Sequence, residues 1–404
     1  MLCAGIAIGT SAVIVGASVA GMHAAEQLRS HGYQGTIDLI EAEARLPYDR
    51  PPLSKGVLLG KASHDDIRLH PDAALAGLGL RLHIGVPAVA LRGRGGHHTV
   101  HCADGRDFTG RQVILATGLS SRPLPGQPHA ASVRPLRTLD DALALRDRMR
   151  PGSSIAIIGA GLIGCEVASA GRDLGVDVTV LEALPTPMAR ALGGRAGRLF
   201  AGLLRDGGVD LLTGVGVQGI DADDDRAEVT LADGTVIAAD TVLVAIGSVP
   251  NTGFLGAMAA LADPGGLTCD ATGQVEGHDG LFAVGDIASW PDPATGGQHR
   301  REHWMSARAQ GAAVAAHICG RPPAPPKPDY AWTDQFGLLI QILGRPELAD
   351  ATELLEPGET GADAPRCTVL GYFAASRPVG ALIFGAPRRK AHYNRLIAEA
   401  NGRG

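Results

Sequence analysis

The chain has 404 residues, which is too long for one hydrophobic core and predicts two or three domains. Its 36 basic and 42 acidic side chains give a net charge of −6, which argues against a nucleic-acid-binding protein. Six cysteines, at positions 3, 102, 165, 269, 319 and 367, lack the short spacings of zinc or iron–sulfur sites. We therefore expect no metal and predict reduced thiols in a cytoplasmic protein. Gly, Thr and Ser interrupt the apolar N-terminal segment, so no membrane association is expected.

The first regular elements follow the order strand, small-residue turn, helix, strand. A short β-branched strand is predicted over Ala12–Val15 and a helix over about Ala20–His31. A second apolar strand follows and ends on acidic residues. This order is typical of a βαβ unit that binds a dinucleotide.

The turn of this first unit, "GASVAG", departs from the usual phosphate-binding pattern. Gly16 and Gly21 stand at the outer glycine positions, but Ser18 occupies the middle one. Serine is small enough to permit close approach, so we interpret the turn as a nucleotide loop. Glu41 and Glu43 are both candidates for the ribose contact, and alternation along an extended strand would point both to one side. The pattern does not choose between them.

A second unit begins at "SSIAIIGAGLIGCEVASAG" and meets every condition of the fingerprint. Its loop and helix N-terminus offer backbone N–H groups to a pyrophosphate. The candidate ligands are Gly159, Gly161, Leu162, Ile163 and Gly164. Glu182 follows at the end of the second strand, where a carboxylate accepts the ribose 2′-OH and repels a 2′-phosphate. NADH is therefore predicted over NADPH.

Two near-identical strands close these units and predict the domain boundaries. "GRQVILATG" follows the first unit, and "ADTVLVAIG" follows the second. "GLFAVGDIASW" is a further buried strand, and 320–330 is a proline-stiffened linker before a last set of strands and a helix. The predicted domains are 1–119 with 248–321, 120–247, and 322–404. The fold class is α/β, with two Rossmann-like domains and a small α+β C-terminal domain.

Several longer strings carry a resemblance to a known family. They are "PYDRPPLSK", "ILATG", "IGAGLIGCEVA", "VAIGSVPN", "LFAVGDIA", "REHWMSARAQG" and "WTDQFG". Together they resemble the NADH-dependent ferredoxin reductases of oxygenase systems, which have the glutathione-reductase-like fold and are related to apoptosis-inducing factor. The resemblance implies that the first unit binds FAD and the second binds NADH.

The resemblance also implies roles for individual residues. Arg50 would lie toward the FAD phosphates and Lys55 near flavin N5, where a cation stabilises the charge of reduced flavin. Lys55 would pair with Glu166, because a buried lysine without a counter-charge destabilises a site. The other implied FAD ligands are Ala20, Ala116, Thr117, Gly118, Gly285, Asp286 and Trp304, and Gly247 is an implied NADH contact.

The implied reaction is hydride transfer from NADH to FAD, followed by single-electron transfer to an iron–sulfur ferredoxin of the [2Fe–2S] or [3Fe–4S] type. The ferredoxin would supply a cytochrome P450 or a ring-hydroxylating dioxygenase. Candidate basic docking residues are Arg300, Arg301, Arg388, Arg389 and Lys390.

Two alternatives are an NADH oxidase or other flavin oxidoreductase, and a non-enzymatic NADH sensor resembling apoptosis-inducing factor. No cysteine lies between Cys3 and Cys102, which disfavours thiol chemistry of the disulfide-reductase kind. The sensor is disfavoured because the last domain has neither a basic excess nor a long insertion.

Overall fold

The computed structural model describes residues 11–94, 96–256, 265–325, 328–358 and 366–400. Cys3 lies outside the described residues. By packing, the chain divides into two compact units. Unit 1 comprises Met1–Asp49, Ile67–Ser120 and Val249–Lys327, and unit 2 comprises Arg50–Asp66, Ser121–Ser248 and Pro328–Gly404. Each unit contains one of the two Gly-rich loops.

Helices occur in both units. Those of the described chain are α1 (Val19–Ser30), α2 (Asp72–Gly77), α3 (Leu139–Arg148), α4 (Leu162–Asp173), α5 (Ala189–Asp206), α6 (Trp304–Ile318) and α7 (Lys390–Ala400). Helix α3 begins with a capping box between Thr138 and Asp141, which satisfies its first backbone N–H groups. The N-cap residues of helices α1 and α4 are Ser18 and Gly161, and neither helix has a side-chain hydrogen bond that caps its N-terminus. Their first N–H groups are therefore left for another acceptor.

The core of unit 1 is a parallel sheet of five strands. Their spatial order is Leu281–Ala283, Gln112–Leu115, Ser11–Val15, Thr36–Glu41 and Arg81–Ile84. The central strands are almost wholly buried and apolar, as is expected when both faces of a parallel sheet are covered. Helix α6 packs closely on α1, since a Cβ at Gly311 would lie only 2.7 Å from the Ala20 carbonyl oxygen.

Unit 2 contains a second parallel sheet with the same arrangement around its central strand. Its order is Asp210–Thr213, Asp177–Glu182, Ser154–Ile158, Thr241–Val244 and Val133–Arg134. In both sheets the first strand of the βαβ unit lies between the second strand and the closing strand. Two parallel sheets of this kind bear out the α/β prediction.

The last part of unit 2 is an antiparallel sheet of five strands with α7 packed against it. The order is Tyr330–Gln335, Leu338–Gly344, Arg377–Phe384, Val369–Ala374 and Ala351–Glu356. Tyr393 and Ile397 bury the apolar face of α7 on Leu343, Val369 and Ile383. This is the small α+β region that was expected at the C-terminus.

Shorter elements complete the described chain. Three-stranded antiparallel sheets are formed by Ala88–Arg94, His97–Cys102 and Asp107–Gly110, and by Val217–Ala222, Ala227–Leu231 and Val236–Ala239. A mixed sheet contains Leu267–Thr268, Ala288–Asp292 and Gly297–Arg300, and a two-stranded sheet contains Leu119–Ser121 and Ser248–Pro250. The 3₁₀ turns are Pro51–Ser54, Asp65–Ile67, Gly285–Ile287, Pro346–Leu348 and Pro387–Arg389. Within the described chain, no helix is both long enough and apolar enough to cross a membrane.

Candidate functional site

The first Gly-rich loop, in unit 1, is shaped by close backbone contacts. Gly16 has φ +104, and a Cβ there would lie 2.3 Å from the Ala116 carbonyl oxygen. A Cβ at Gly21 would lie 1.9 Å from the Gly16 carbonyl oxygen. Both glycines are therefore required by the turn itself. Ala20 is buried beside them on α1.

Ser18 is tolerated because its backbone is ordinary. It has φ −78 and ψ −170, almost the same angles as Gly161, which has φ −80 and ψ −172. The middle position of the motif thus needs a small side chain for close approach of a ligand, and does not need a left-handed conformation. The departure seen in the sequence leaves the shape of the loop unchanged.

The second Gly-rich loop, in unit 2, repeats this geometry residue by residue. Gly159 has φ +104, and a Cβ there would lie 2.4 Å from the Ala245 carbonyl oxygen. A Cβ at Gly164 would lie 2.0 Å from the Gly159 carbonyl oxygen, whereas one at Gly161 would meet nothing within 4 Å. Leu162 and Ile163 form the start of α4, and Ile163 is 42% exposed.

A glutamate closes each loop in the same way. In unit 1, Glu41 Oε2 accepts a hydrogen bond from Ala17 N at 2.7 Å, and its Oε1 accepts one from Glu43 N at 3.0 Å. In unit 2, Glu182 Oε2 accepts from Ala160 N at 2.7 Å and Oε1 from Leu184 N at 2.8 Å. Each carboxylate is thereby oriented by two backbone donors.

This equivalence separates the two acidic candidates in unit 1. The strand ends at Glu41, as its counterpart ends at Glu182. The expectation that Glu41 and Glu43 share one extended strand was therefore wrong. Glu43 lies beyond the strand and accepts a hydrogen bond from Tyr48 Oη at 2.6 Å. Glu41 alone holds the position that corresponds to Glu182.

The "ATG" turn lies at the end of the closing strand of unit 1. Ala116 is buried, and Gly118 has φ +63. Thr117 Oγ1 donates to the Asn251 carbonyl at 3.0 Å, and Asn251 Nδ2 donates back to the Thr117 carbonyl at 2.8 Å. A third bond joins Asn251 N to the Gly118 carbonyl at 3.0 Å. In unit 2, Gly247 has φ +102 at the corresponding turn.

The "VGD" turn and Trp304 also lie in unit 1. Gly285 N donates to Gln310 Oε1 at 2.8 Å, which holds the 3₁₀ turn that carries Asp286. Trp304 is the first residue of α6, and its indole Nε1 donates to Asp49 Oδ1 at 2.8 Å. The guanidinium of Arg308 lies 5.0 Å from the centre of the indole ring. The Trp304 ring is thus fixed on both its edge and its face.

In unit 2, Lys55 and Glu166 form an ion pair in which the glutamate is buried and the lysine is partly buried. Lys55 Nζ lies 2.8 Å from Glu166 Oε1, with only 20% of the lysine side chain and 5% of the glutamate side chain exposed. Lys55 follows the 3₁₀ turn Pro51–Ser54, and Glu166 lies in the first half of α4, just after the Gly-rich loop. Arg50, at the start of that turn, donates from Nη1 to the Arg137 carbonyl at 2.8 Å.

The candidate docking arginines differ in their surroundings. Arg300 pairs with Glu302 at 2.7 Å and is 18% exposed, while Arg301 lies 3.5 Å from Asp292. Arg388 is exposed, and Arg389 pairs with Glu356 at 2.9 Å while remaining 56% exposed. Lys390 Nζ lies 3.3 Å from the centre of the Tyr330 ring.

Four of the described cysteines are buried, namely Cys102, Cys165, Cys269 and Cys319, and among the described cysteines only Cys367 is exposed. Burial raises the pKa of the Cys165 thiol far above its ordinary value, and raises the pKa of Cys269 to about 12. A thiol with such a pKa is a poor nucleophile at neutral pH. The described residues also contain no group of three or more His, Cys, Asp or Glu side chains that could hold a metal ion.

Several residues of the site were not anticipated from the sequence. Ser54, Thr333 and Gln335 contribute to the hydrogen bonding around Glu166, and Asn251 and Gln310 hold the turns of unit 1. Thr333 and Gln335 are polar residues two apart in the strand of "WTDQFG", and so share one face. That two-residue spacing was the one feature of the sequence that could have indicated these residues.

Comparison with known proteins identifies the family. The family model described as pyridine nucleotide-disulphide oxidoreductase matches residues 10–311. The chain belongs to this family. Membership confirms the predictions of an NADH-dependent flavin oxidoreductase and of FAD and NAD(H) as its cofactors.

Individual relatives match over most of their length. The chain is 36% identical to the ferredoxin reductase component of chlorobenzene dioxygenase from Cupriavidus sp. (strain PS12), over 96% of this chain and 93% of that one. It is 34% identical to the ferredoxin–NAD(+) reductase subunit of the benzene 1,2-dioxygenase system of Pseudomonas putida, over 95% and 91%. The structure of the covalent putidaredoxin reductase–putidaredoxin complex matches with a TM-score of 0.88 and 28% identity, over 97% and 93%.

Proposed function

We propose that this protein is a ferredoxin reductase of an oxygenase system. The observation that carries the proposal is the similarity, over more than nine-tenths of both chains, to two reductase components of ring-hydroxylating dioxygenases. The relatives named rhodocoxin reductase and rubredoxin-NAD(+) reductase match at 34% and 33% identity, which supports the same reaction class. The thiols Cys165 and Cys269 support it further, because burial raises their pKa and makes these two cysteines poor candidates for dithiol chemistry.

In this proposal the loop of unit 1 holds FAD and the loop of unit 2 holds NADH. The uncapped N-termini of α1 and α4 offer backbone N–H groups to the pyrophosphates, and Glu41 and Glu182 accept ribose hydroxyls. Glu182 also makes the second site unfavourable for a 2′-phosphate, which supports NADH over NADPH. These roles fit the open space at the middle position of the second loop, where a Cβ at Gly161 would meet nothing within 4 Å.

When bound, FAD would supply the redox chemistry, which is acceptance of a hydride from NADH and release of single electrons. Lys55, held by Glu166, places a positive charge where the resemblance assigns it, near flavin N5. The close Trp304–Asp49 contact fixes an aromatic side chain proposed to lie beside the flavin ring. No acid or base residue has to break a bond, so the protein acts by orientation and electrostatics.

The proposed acceptor is a [2Fe–2S] or [3Fe–4S] ferredoxin that supplies a cytochrome P450 or a dioxygenase. The exposed pair Arg388 and Arg389 is the proposed docking surface for its acidic face, because Arg300 and Arg301 expose only 18% and 30% of their side chains. We place the protein in the cytoplasm, where NADH and reduced thiols occur.

The test is NADH-driven reduction of cytochrome c, titrated in turn with a [2Fe–2S] ferredoxin, a [3Fe–4S] ferredoxin and a rubredoxin. We expect a rate that saturates with one ferredoxin and is low in its absence. A rate independent of every iron–sulfur protein would show that the partner class is wrong. Ferricyanide reduction measures flavin turnover without a protein partner.

Charge reversal tests the docking surface. The double substitution Arg388→Glu with Arg389→Glu should raise the ferredoxin concentration needed for half-saturation about tenfold at low salt, and leave ferricyanide reduction unchanged. Arg92→Glu, an exposed arginine of unit 1, is the matched control. Equal effects of the two reversals would contradict a specific docking role.

A further inference from the structure

Glu166 is bound by more donors than its ion pair with Lys55. Oε1 accepts from Lys55 Nζ at 2.8 Å and from Thr333 Oγ1 at 2.6 Å. Oε2 accepts from the hydroxyl of Ser54. Glu166, Ser54 and Thr333 are all buried, and Thr333 is completely inaccessible to solvent. Burial of a carboxylate costs free energy unless hydrogen-bond donors surround it, and these three donors offset that cost.

The Thr333 hydroxyl has a defined direction. A carboxylate only accepts hydrogen bonds, so the Thr333 hydroxyl must donate its single hydrogen to Glu166. Its oxygen then accepts from Gln335 Nε2 at 3.0 Å. The Thr333 hydroxyl has no second hydrogen to donate to an amide oxygen, so Gln335 faces it with Nε2, and Gln335 Oε1 is left buried without a hydrogen-bond partner among the described residues.

Thr333 and Lys55 bind the same carboxylate oxygen. The Thr333 hydrogen bond stabilises part of the negative charge on Oε1. It also limits rotation of the carboxylate about the Cγ–Cδ bond of Glu166. Without it, more of that charge would act on the Lys55 ammonium and draw it toward Glu166. Lys55 Nζ also lies 3.4 Å from the Pro51 carbonyl oxygen. The position of the ammonium therefore depends on the balance between this carbonyl and Glu166 Oε1 as acceptors.

From this geometry we propose that Thr333, on the first strand of the C-terminal sheet, is a positioning residue for flavin reduction. It acts through Glu166 on Lys55, and so the C-terminal sheet helps to set the position of the Lys55 ammonium. The inference rests on the proposed role of Lys55 near the flavin.

The test uses two pairs of variants that each differ by one hydroxyl. Thr333→Val is compared with the natural chain, and Thr333→Ala with Thr333→Ser, in holoenzyme prepared with FAD. Stopped-flow absorbance gives the limiting rate of flavin reduction and the dissociation constant of NADH. A redox titration gives the midpoint potential of the flavin.

In each pair we expect loss of the hydroxyl to slow the limiting rate of flavin reduction about tenfold. This factor corresponds to the free energy of one hydrogen bond to a charged group. The dissociation constant of NADH should stay within twofold, and the potential should become more negative, because less positive charge reaches the flavin. Thr333→Ser should behave like the natural chain. If Thr333→Val does not fold, the alanine–serine pair still decides the question.

Equal rates and potentials for Thr333→Ala and Thr333→Ser would overturn the inference. Lys55→Met separates this failure from that of the role on which it rests. If Lys55→Met slows flavin reduction while the alanine–serine pair is equal, only the role of Thr333 is wrong. If Lys55→Met changes neither rate nor potential, both roles are wrong, and the ferredoxin titration still tests the overall reaction independently.

Discussion

The equivalence of Glu41 and Glu182 leads to a reciprocal experiment. Each carboxylate accepts two backbone hydrogen bonds, at 2.7 and 3.0 Å for Glu41 and at 2.7 and 2.8 Å for Glu182. Glutamine has the same size but one oxygen fewer, so one of the two N–H groups would face an NH₂ group. We expect Glu182→Gln to impair NADH use and Glu41→Gln to impair FAD retention.

The magnitude follows from the weaker contact with the ribose hydroxyl, in which a charged acceptor is replaced by a neutral amide. A hydrogen bond to a charged group contributes about 1.5–3 kcal/mol, which corresponds to about 10- to 150-fold in a binding constant. Glu182→Gln should therefore raise the KM for NADH by about that factor, with full FAD content. It should also narrow the preference for NADH over NADPH, because the charge that repels a 2′-phosphate is removed.

Steady-state kinetics with both nucleotides and FAD absorbance of the purified variants measure these effects. Glu41→Gln should lower FAD content or affinity and leave the KM for NADH unchanged after reconstitution. The reasoning is refuted if Glu182→Gln keeps the natural KM, or if it loses FAD while Glu41→Gln does not. Glu43→Gln is the matched control in unit 1, and it should retain FAD better than Glu41→Gln.

Three further outcomes are expected. Gly159→Ala should abolish NADH-dependent turnover but keep FAD, because its Cβ would meet a carbonyl oxygen at 2.4 Å; FAD content and ferricyanide reduction check this. Gly161→Ser should fold normally and largely keep the KM for NADH, since nothing lies within 4 Å of a Cβ there and Ser18 holds the same position in unit 1; a strongly raised KM would contradict this tolerance of serine. Iodoacetamide at pH 8 should label Cys367 and leave Cys165 and Cys269 unmodified, because burial raises the pKa of both; peptide mass spectrometry would reveal any contrary labelling.

Local patterns in the sequence were sufficient for the two nucleotide-binding units. The order of apolar strand, small-residue turn and helix predicts the βαβ unit, because the spacing of apolar residues in each segment reflects which face of the strand or helix is buried. Gly21 and Gly164 follow from the same local chemistry, since a side chain there would collide with the carbonyl of the first glycine of the loop, and Gly16 and Gly159 have the positive φ that favours glycine. The resemblance then assigned a cofactor to each unit, and family membership confirmed FAD and NAD(H).

Other features depend on residues that are distant in the sequence. The choice of Glu41 over Glu43 required knowing where the strand ends. The partners of Glu166 come from Ser54 and from Thr333, which are 112 and 167 residues away. A local sequence pattern cannot predict such long-range contacts, because they depend on how separate segments of the chain pack.

The sequence by itself determined the fold class, the two loops and the family to which the chain is similar. Only the tertiary structure decided how the Lys55–Glu166 pair is supported, because a buried charge is stabilised by whichever donors the fold brings to it. Ser18 shows the same division: the sequence displays an irregular motif, and the backbone angles show why the loop keeps its shape.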